Sequence, residues 1–260
     1  MFVDDKISYN AKKGDGHLNI ATISEDTFMI YYDAIIDPDN YRKVAQTKRY
    51  IEQQQHANII ELIPSYRGLM VQYDWKRSNA KQLISELNLT EENIMSISDS
   101  LQSKTVHIPV CYGGEFGPDI ETVMEVNQQT EHDVINIHTA QSYLIYMIGF
   151  MPGFPFLGGL DERLATPRRS EPRLSIPAGS VGIANNQTGI YPSASPGGWQ
   201  IIGRTPIKIF DAQRTPMMYY AAGDKIQFYE ITSEMFTQIQ QQQQEGTLDV
   251  EKWVKITYDD

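Results

Sequence analysis

Gly149-Phe150-Met151-Pro152-Gly153-Phe154-Pro155-Phe156-Leu157-Gly158-Gly159, answered further on by Ser193-Ala194-Ser195-Pro196-Gly197-Gly198-Trp199-Gln200, decides how this chain folds. Residues 149–203 hold 10 of its 18 glycines and 7 of its 13 prolines. Proline removes a backbone donor and glycine carries a high entropic cost in a helix, so the stretch reads as short strands joined by tight turns. The same grammar extends to either side. Strands are predicted at Thr105–Tyr112, Tyr143–Phe150, Gly179–Ile183, Trp199–Gly203, Ile207–Phe210 and Lys225–Glu230. Two short helices interrupt them, at about Ile120–Gln128, with Asp119 as a cap, and Asp133–Gln141, with Glu131 at its start. Many short strands with Gly and Pro turns predict a closed or nearly closed, all-β barrel over 105–232.

Upstream the period changes. The runs 17–23 and 27–32 read as strands, and Pro38–His56 as a helix. The unit recurs as strands at 58–63 and 69–73 around Pro64-Ser65-Tyr66-Arg67-Gly68, then a helix over 78–89. The result is a small α+β domain over 17–90, ββαββα, in which two helices cover one face of an antiparallel sheet. Residues 1–16 read as an extension and 91–104 as a linker. Residues 233–260 read as a helix, capped by Ser233, and a tail. The run Gln240–Gln244 is expected to be a solvated helix end.

The 260 residues carry 22 basic against 33 acidic side chains, a formal −11, which argues against nucleic acid or an anionic membrane as partner. The segment 163–204 is the opposite: Arg163, Arg168, Arg169, Arg173 and Arg204 against Glu171 give 5 − 1 = +4. All five are arginine, the residue suited to bidentate recognition of carboxylate or phosphate. Arg163 and Arg204 are expected to pair with surface acids. Arg168, Arg169 and Arg173, held between Pro167, Pro172 and Pro177, are either an anion site or further ion pairs. A lone cysteine, Cys111, excludes an internal disulfide and a multi-thiolate metal site, and it reads as core. No metal site is expected. With no apolar leader at the N-terminus and no long apolar run, a cytoplasmic protein is expected.

The two Gly-Pro arms can expose backbone N–H groups to a developing anion, or they can simply turn barrel corners. Phe154, Phe156, Tyr191 and Trp199 either line a pocket or pack as core. His138, late in the second helix, is the candidate acid or base, against a structural histidine of equal weight. No phosphate loop, zinc-binding helix motif, nucleophile elbow or Met-Lys-Met biotin site occurs; Ala178-Gly179-Ser180-Val181-Gly182 has the wrong spacing for an elbow.

The run Gly149–Leu160, with Thr166-Pro167-Arg168-Arg169-Ser170-Glu171-Pro172-Arg173-Leu174, Ile176–Ile183, Gln187-Thr188-Gly189-Ile190-Tyr191-Pro192 and Pro196–Gly203, resembles the allophanate hydrolase subunit 1 family. Weaker likeness extends to Ile108–Gly114 and Glu61–Arg67. Members of that family include the B subunit of the bacterial 5-oxoprolinase and the Kip inhibitor of a sporulation histidine kinase. The resemblance implies a cyclophilin-like barrel behind a small α+β domain. It implies ATP-dependent opening of 5-oxoproline to glutamate, with ATP and Mg shared with partner subunits and no covalent biotin. The implied partners are a homologous second barrel subunit, similar to allophanate hydrolase subunit 2, and a third, unrelated subunit; the chain alone should be inactive. At the implied site, His138 and Arg173 are catalytic. Arg168, Arg169, Gly153, Phe154, Gln187, Tyr191, Pro196, Gly197, Gly198 and Trp199 bind a small anionic substrate. Two alternatives stay open, a sensor histidine kinase inhibitor and a subunit of a biotin-dependent urea carboxylase/allophanate hydrolase system. Asn185-Asn186 departs from the pattern at a turn where glycine is expected.

Overall fold

A computed structural model describes Ser8, Tyr9 and residues 18–33, 35–97 and 103–258. Apart from Ser8 and Tyr9, the expected N-terminal extension lies outside the described residues. Two compact units form, one within residues 1–100 and one within 101–260.

The first unit has a five-stranded antiparallel sheet: β1 (Ser8–Tyr9), β2 (Asn19–Ser24), β3 (Thr27–Tyr31), β4 (Ile59–Ser65) and β5 (Gly68–Tyr73), in the order β1-β2-β3-β5-β4. Helix α1 (Pro38–Gln53) begins where its sequence says it should. Asp37 accepts from the Asp39 N–H, and Pro38 occupies the first position, where no donor is needed. Its buried positions Tyr41, Val44, Thr47 and Ile51 follow the helical period, so one face enters a core with Phe28, Ile30, Leu69, Val71 and Leu83. Helix α2 (Ala80–Glu86) follows, capped by Asn79. The segment expected to be a linker begins instead as a further helix, α3 (Glu91–Met95). Thr90 caps it, and Ile94 is buried in the same core. A capping threonine and one well-placed isoleucine outweigh the polar composition that suggested a linker.

The second unit contains the expected barrel. Its strands are β6 (Lys104–Tyr112), β7 (Ser142–Ile148), β8 (Pro155–Gly158), β10 (Ser180–Ala184), β11 (Gln187–Ile190), β13 (Gln200–Arg204) and β14 (Lys225–Glu230). Seven strands close in the ring β6-β14-β7-β8-β11-β10-β13, because β13 pairs back onto β6 through Gly203–Tyr112 and Arg204–Cys111. Pairing is antiparallel except between β14 and β6. The C-terminal segment adds β15 (Lys255–Tyr258) along the free part of the β6 edge. Outside the ring, β9 (Arg173–Ile176) and β12 (Ser195–Gly197) form a two-stranded ribbon.

Helices α4 (Ile120–Asn127) and α5 (Glu131–Thr139) lie between β6 and β7, and α6 (Ser233–Gln244) follows β14. Three local expectations change. Thr232, not Ser233, caps α6 by accepting from the Met235 N–H. Residues 207–210 form no strand, only an isolated bridge from Phe210 to Met218. Asp119 precedes α4 without capping it. At the departure noted in the sequence, Asn185 takes a φ of +54° in the β10–β11 turn, a conformation asparagine tolerates better than most residues.

Candidate functional site

The arginine-bearing loop runs from a single 3-10 turn (Glu162–Leu164) to β9. Asp161 anchors its start, accepting from the Arg163 backbone and from Nε and Nη2 of the Arg163 side chain at 3.0 and 2.7 Å. Those donors hold the Asp161 carboxyl down at about 2. Arg163 is thus the surface pair expected of it.

Arg169 and Arg173 converge on Asp119, whose residue is only 3% exposed. Arg173 binds it bidentately, Nη1 to Oδ2 and Nη2 to Oδ1, both at 2.7 Å. Arg169 Nη1 reaches Oδ1 at 2.9 Å, and the Ile201 N–H reaches Oδ2 at 2.7 Å. Four donors therefore saturate one carboxylate. The cluster ties the arginine loop, the start of α4 and β13 together, and its one carboxylate offsets part of the charge of two of the five arginines. The expectation that Arg173 acts on substrate conflicts with this geometry, because its fork is already occupied.

Arg168 is different. It is exposed, its guanidinium lies 5.9 Å from the Trp199 ring centre, and among the described residues it has no carboxylate within ion-pair distance. Arg204 is turned aside, donating to the Ala178 carbonyl and lying over Phe236. Arg168, Arg169 and Gln200 line an open cleft of about 290 Å³ together with Thr122 and Val126 of α4 and the 166–170 loop.

His138 lies elsewhere, inside the barrel, with no exposed surface. Its Nδ1 is 2.8 Å from the Tyr112 hydroxyl and its Nε2 is 2.9 Å from Thr188 Oγ1. Thr188 donates onward to the Gly182 carbonyl at 3.1 Å, which leaves its oxygen to accept from Nε2–H and Nδ1 to accept from Tyr112. Every proton in that chain has a place only while the imidazole is neutral. Burial lowers its pKa to about 3. The ring also stacks on Phe228 at 4.7 Å, and Tyr143 donates to the His138 carbonyl. The acid–base role expected of His138 is at odds with a site closed to solvent and already fully bonded.

The aromatic residues resolve toward core. Phe154, Tyr191 and Trp199 are all 5% exposed or less and meet edge to face at 5.4–6.2 Å. Burial raises the Tyr191 phenol to about 12, against the pull of Arg168, so it stays protonated. Gly153 has φ +84°, and a Cβ there would lie 2.7 Å from Phe210 Cβ; its carbonyl accepts from Tyr220 at 2.7 Å. Gly197 packs so closely that a Cβ would meet the Tyr191 hydroxyl at 2.5 Å. Both glycines are therefore required by packing. The Gly198 carbonyl accepts from the Arg169 N–H at 2.8 Å, fastening the arginine loop to the second arm. Pro196 is exposed in β12, and Gln187 begins β11. Cys111 is buried, and its thiol is raised to about 11. Among the described residues, no group of three or more His, Cys, Asp or Glu side chains is arranged to hold a metal ion.

Sequence reasoning missed two residues that matter here. Asp119 read as a helix cap, although the same acid binds arginines more than 45 residues away in sequence. Gln200 read only as the end of a Gly-Pro arm. No spacing rule exposes either, since both act through contacts across the fold.

The family model described as "Carboxyltransferase domain, subdomain C and D" matches residues 18–220. The chain is 43% identical over 222 residues to the 5-oxoprolinase B subunit of Bacillus subtilis (strain 168), covering 82% of this chain and 92% of that protein. It is 39% identical over 211 residues to the 5-oxoprolinase B subunit of Haemophilus influenzae, covering 81% and 97%. The crystal structure of Kluyveromyces lactis urea carboxylase superposes with a TM-score of 0.78 at 20% identity, covering 98% of this chain and 25% of that one; at that identity the likeness concerns the fold alone.

Proposed function

The chain belongs to the carboxyltransferase domain family, subdomain C and D, and from that premise we propose that it acts as the B subunit of a 5-oxoprolinase. Support comes from identity along most of both chains to relatives of that name. The observation that ties the reading to a site is Arg168, the cation at the cleft that has no carboxylate partner among the described residues.

5-Oxoproline is a small carboxylate fused to a five-membered lactam. A lactam carbonyl is a poor electrophile, so transferring a phosphoryl group from ATP to its oxygen makes that oxygen a leaving group. Water adds at that carbon, the C–N bond breaks as the nitrogen takes a proton, and a second water then displaces phosphate from the resulting acyl phosphate to give glutamate. What this chain's own residues offer is binding and orientation. Arg168 anchors the carboxylate, and the Asp119–Arg169–Arg173 cluster holds the Arg168 loop in place beforehand. Rigid support of this kind limits the entropy lost when the ligand is ordered.

The residues of the cleft do not fit Mg–ATP. No carboxylate is among its lining residues, and Asp119, which holds Arg169, is saturated by two arginines and a backbone N–H. We therefore assign the nucleotide and its metal to partner subunits, one a related barrel and one unrelated, and expect the isolated chain to be inactive. The test is to assemble the chain with both partners, add ATP and 5-oxoproline, and follow glutamate. Release should require all three subunits and ATP; a properly assembled complex that releases none would overturn the reading.

A further inference from the structure

Gln200 is 6% exposed, lines the cleft beside Arg168, and is only half satisfied. Its Nε2 donates to the Pro167 carbonyl at 2.9 Å, which fixes which end of the amide is oxygen. The Oε1 is buried with no hydrogen-bond partner in the structure. Exchanging the two amide ends would set oxygen against the Pro167 carbonyl, so the orphaned acceptor is forced by its surroundings. A buried acceptor left unmade costs free energy that a ligand donor can recover. Two other residues that line the cleft do not compete for it. Thr166 Oγ1 donates to the Leu164 carbonyl at 2.9 Å and accepts from Asn127 at 3.0 Å, and Arg169 is committed to Asp119.

The geometry points to the cleft as a subsite for a small carboxylate that also carries an N–H donor, with Arg168 reading the carboxylate and Gln200 Oε1 reading the N–H. Gln200 is thereby a specificity-determining residue. The inference rests on the reading of the chain as a 5-oxoprolinase component and deepens it. A lactam N–H satisfies Oε1, whereas the lactone with oxygen in its place sets lone pair against lone pair.

The experiment titrates the full chain with 5-oxoproline, with the matching lactone carboxylate and with 5-oxoprolinamide, and repeats the set with Gln200→Met and Arg168→Gln. The unaltered protein should bind 5-oxoproline on the order of tenfold to hundredfold more tightly than either analogue. Gln200→Met should erase the preference over the lactone, and Arg168→Gln the preference over the amide. The analogue comparison on the unaltered chain stands even if a variant folds poorly. No binding, no preference for the N–H, or a preference that survives Gln200→Met overturns the subsite, even where the assembled complex releases glutamate. An N–H preference lost in Gln200→Met, beside a complex that releases no glutamate, keeps the subsite and overturns the reaction.

Discussion

Two polar clusters in the second unit invite comparison, because sequence reasoning assigned chemistry to both and neither is arranged to perform it. Around Asp119, charge is held by opposite charge: one carboxylate takes two guanidinium groups and a backbone N–H. Around His138, no charge is tolerated at all, and a neutral imidazole passes hydrogen bonds from Tyr112 to Thr188 and on to Gly182. The first cluster sits where arginine stems remain partly exposed, so ions survive there. The second sits among Phe228, Tyr143 and Tyr112, where desolvation forbids them. Residue type alone did not tell an anchored site from a reactive one. Whether a group's hydrogen-bonding capacity is already spent did.

The comparison can be broken most sharply at its charged side. Asp119→Ala leaves two guanidiniums and the Ile201 N–H without their acceptor, and about 3–5 kcal/mol of stability should be lost. Urea denaturation measures it; a loss under about 1 kcal/mol would show that solvent replaces the carboxylate and that the cluster holds nothing.

On the neutral side, the His138 pKa of about 3 lies below its ordinary 6.5, so the unfolded chain binds a proton in that window and the folded protein does not. Stability from this group is fully present above about pH 6.5 and is lost as pH falls toward about 3, at about 1.4 kcal/mol per unit. His138→Gln should cost about 1–3 kcal/mol at neutral pH and flatten that acid limb. An unchanged limb would mean the imidazole is not held neutral.

A smaller loss, about 1 kcal/mol, is expected for Thr130→Ala, which removes the capping box with Asp133 at the start of α5, the helix that carries His138. A thermal melt reports it. Least of all should stability respond to Arg168→Gln, with a change within about 0.5 kcal/mol for an exposed side chain without an ion-pair partner. The same change should raise the KM of the assembled enzyme for 5-oxoproline about tenfold or more. A large loss of stability with unchanged KM would place Arg168 with Arg173, as part of the scaffold.

Much of the barrel is legible in the sequence. The alternation in 105–112, the Gly-Pro turns and the run 225–230 correspond to β6, the arms and β14. The short strands β8, β9, β11 and β12 were not legible. Four or fewer residues between turns carry too little periodicity to separate a strand from a loop. Strand β15 was hidden for another reason: its residues are all exposed and pair only with the edge of β6, so no hydrophobic alternation marks them. At the site, the arginine loop was visible as a local charge reversal. Its three neighbours Arg168, Arg169 and Arg173 were indistinguishable there, and only Asp119 separates them.

What the sequence by itself determined is what short-range chemistry can encode: where glycine and proline forbid helix, which strands alternate, and that positive charge is concentrated in one segment of an acidic chain. What only the tertiary structure decided is which of those groups remains available. A guanidinium, an imidazole and a carboxamide each have a fixed number of donors and acceptors. Whether these are met by a partner from a distant segment, as for Arg173 and His138, or left wanting, as for Gln200, depends on contacts that exist only once the barrel has closed.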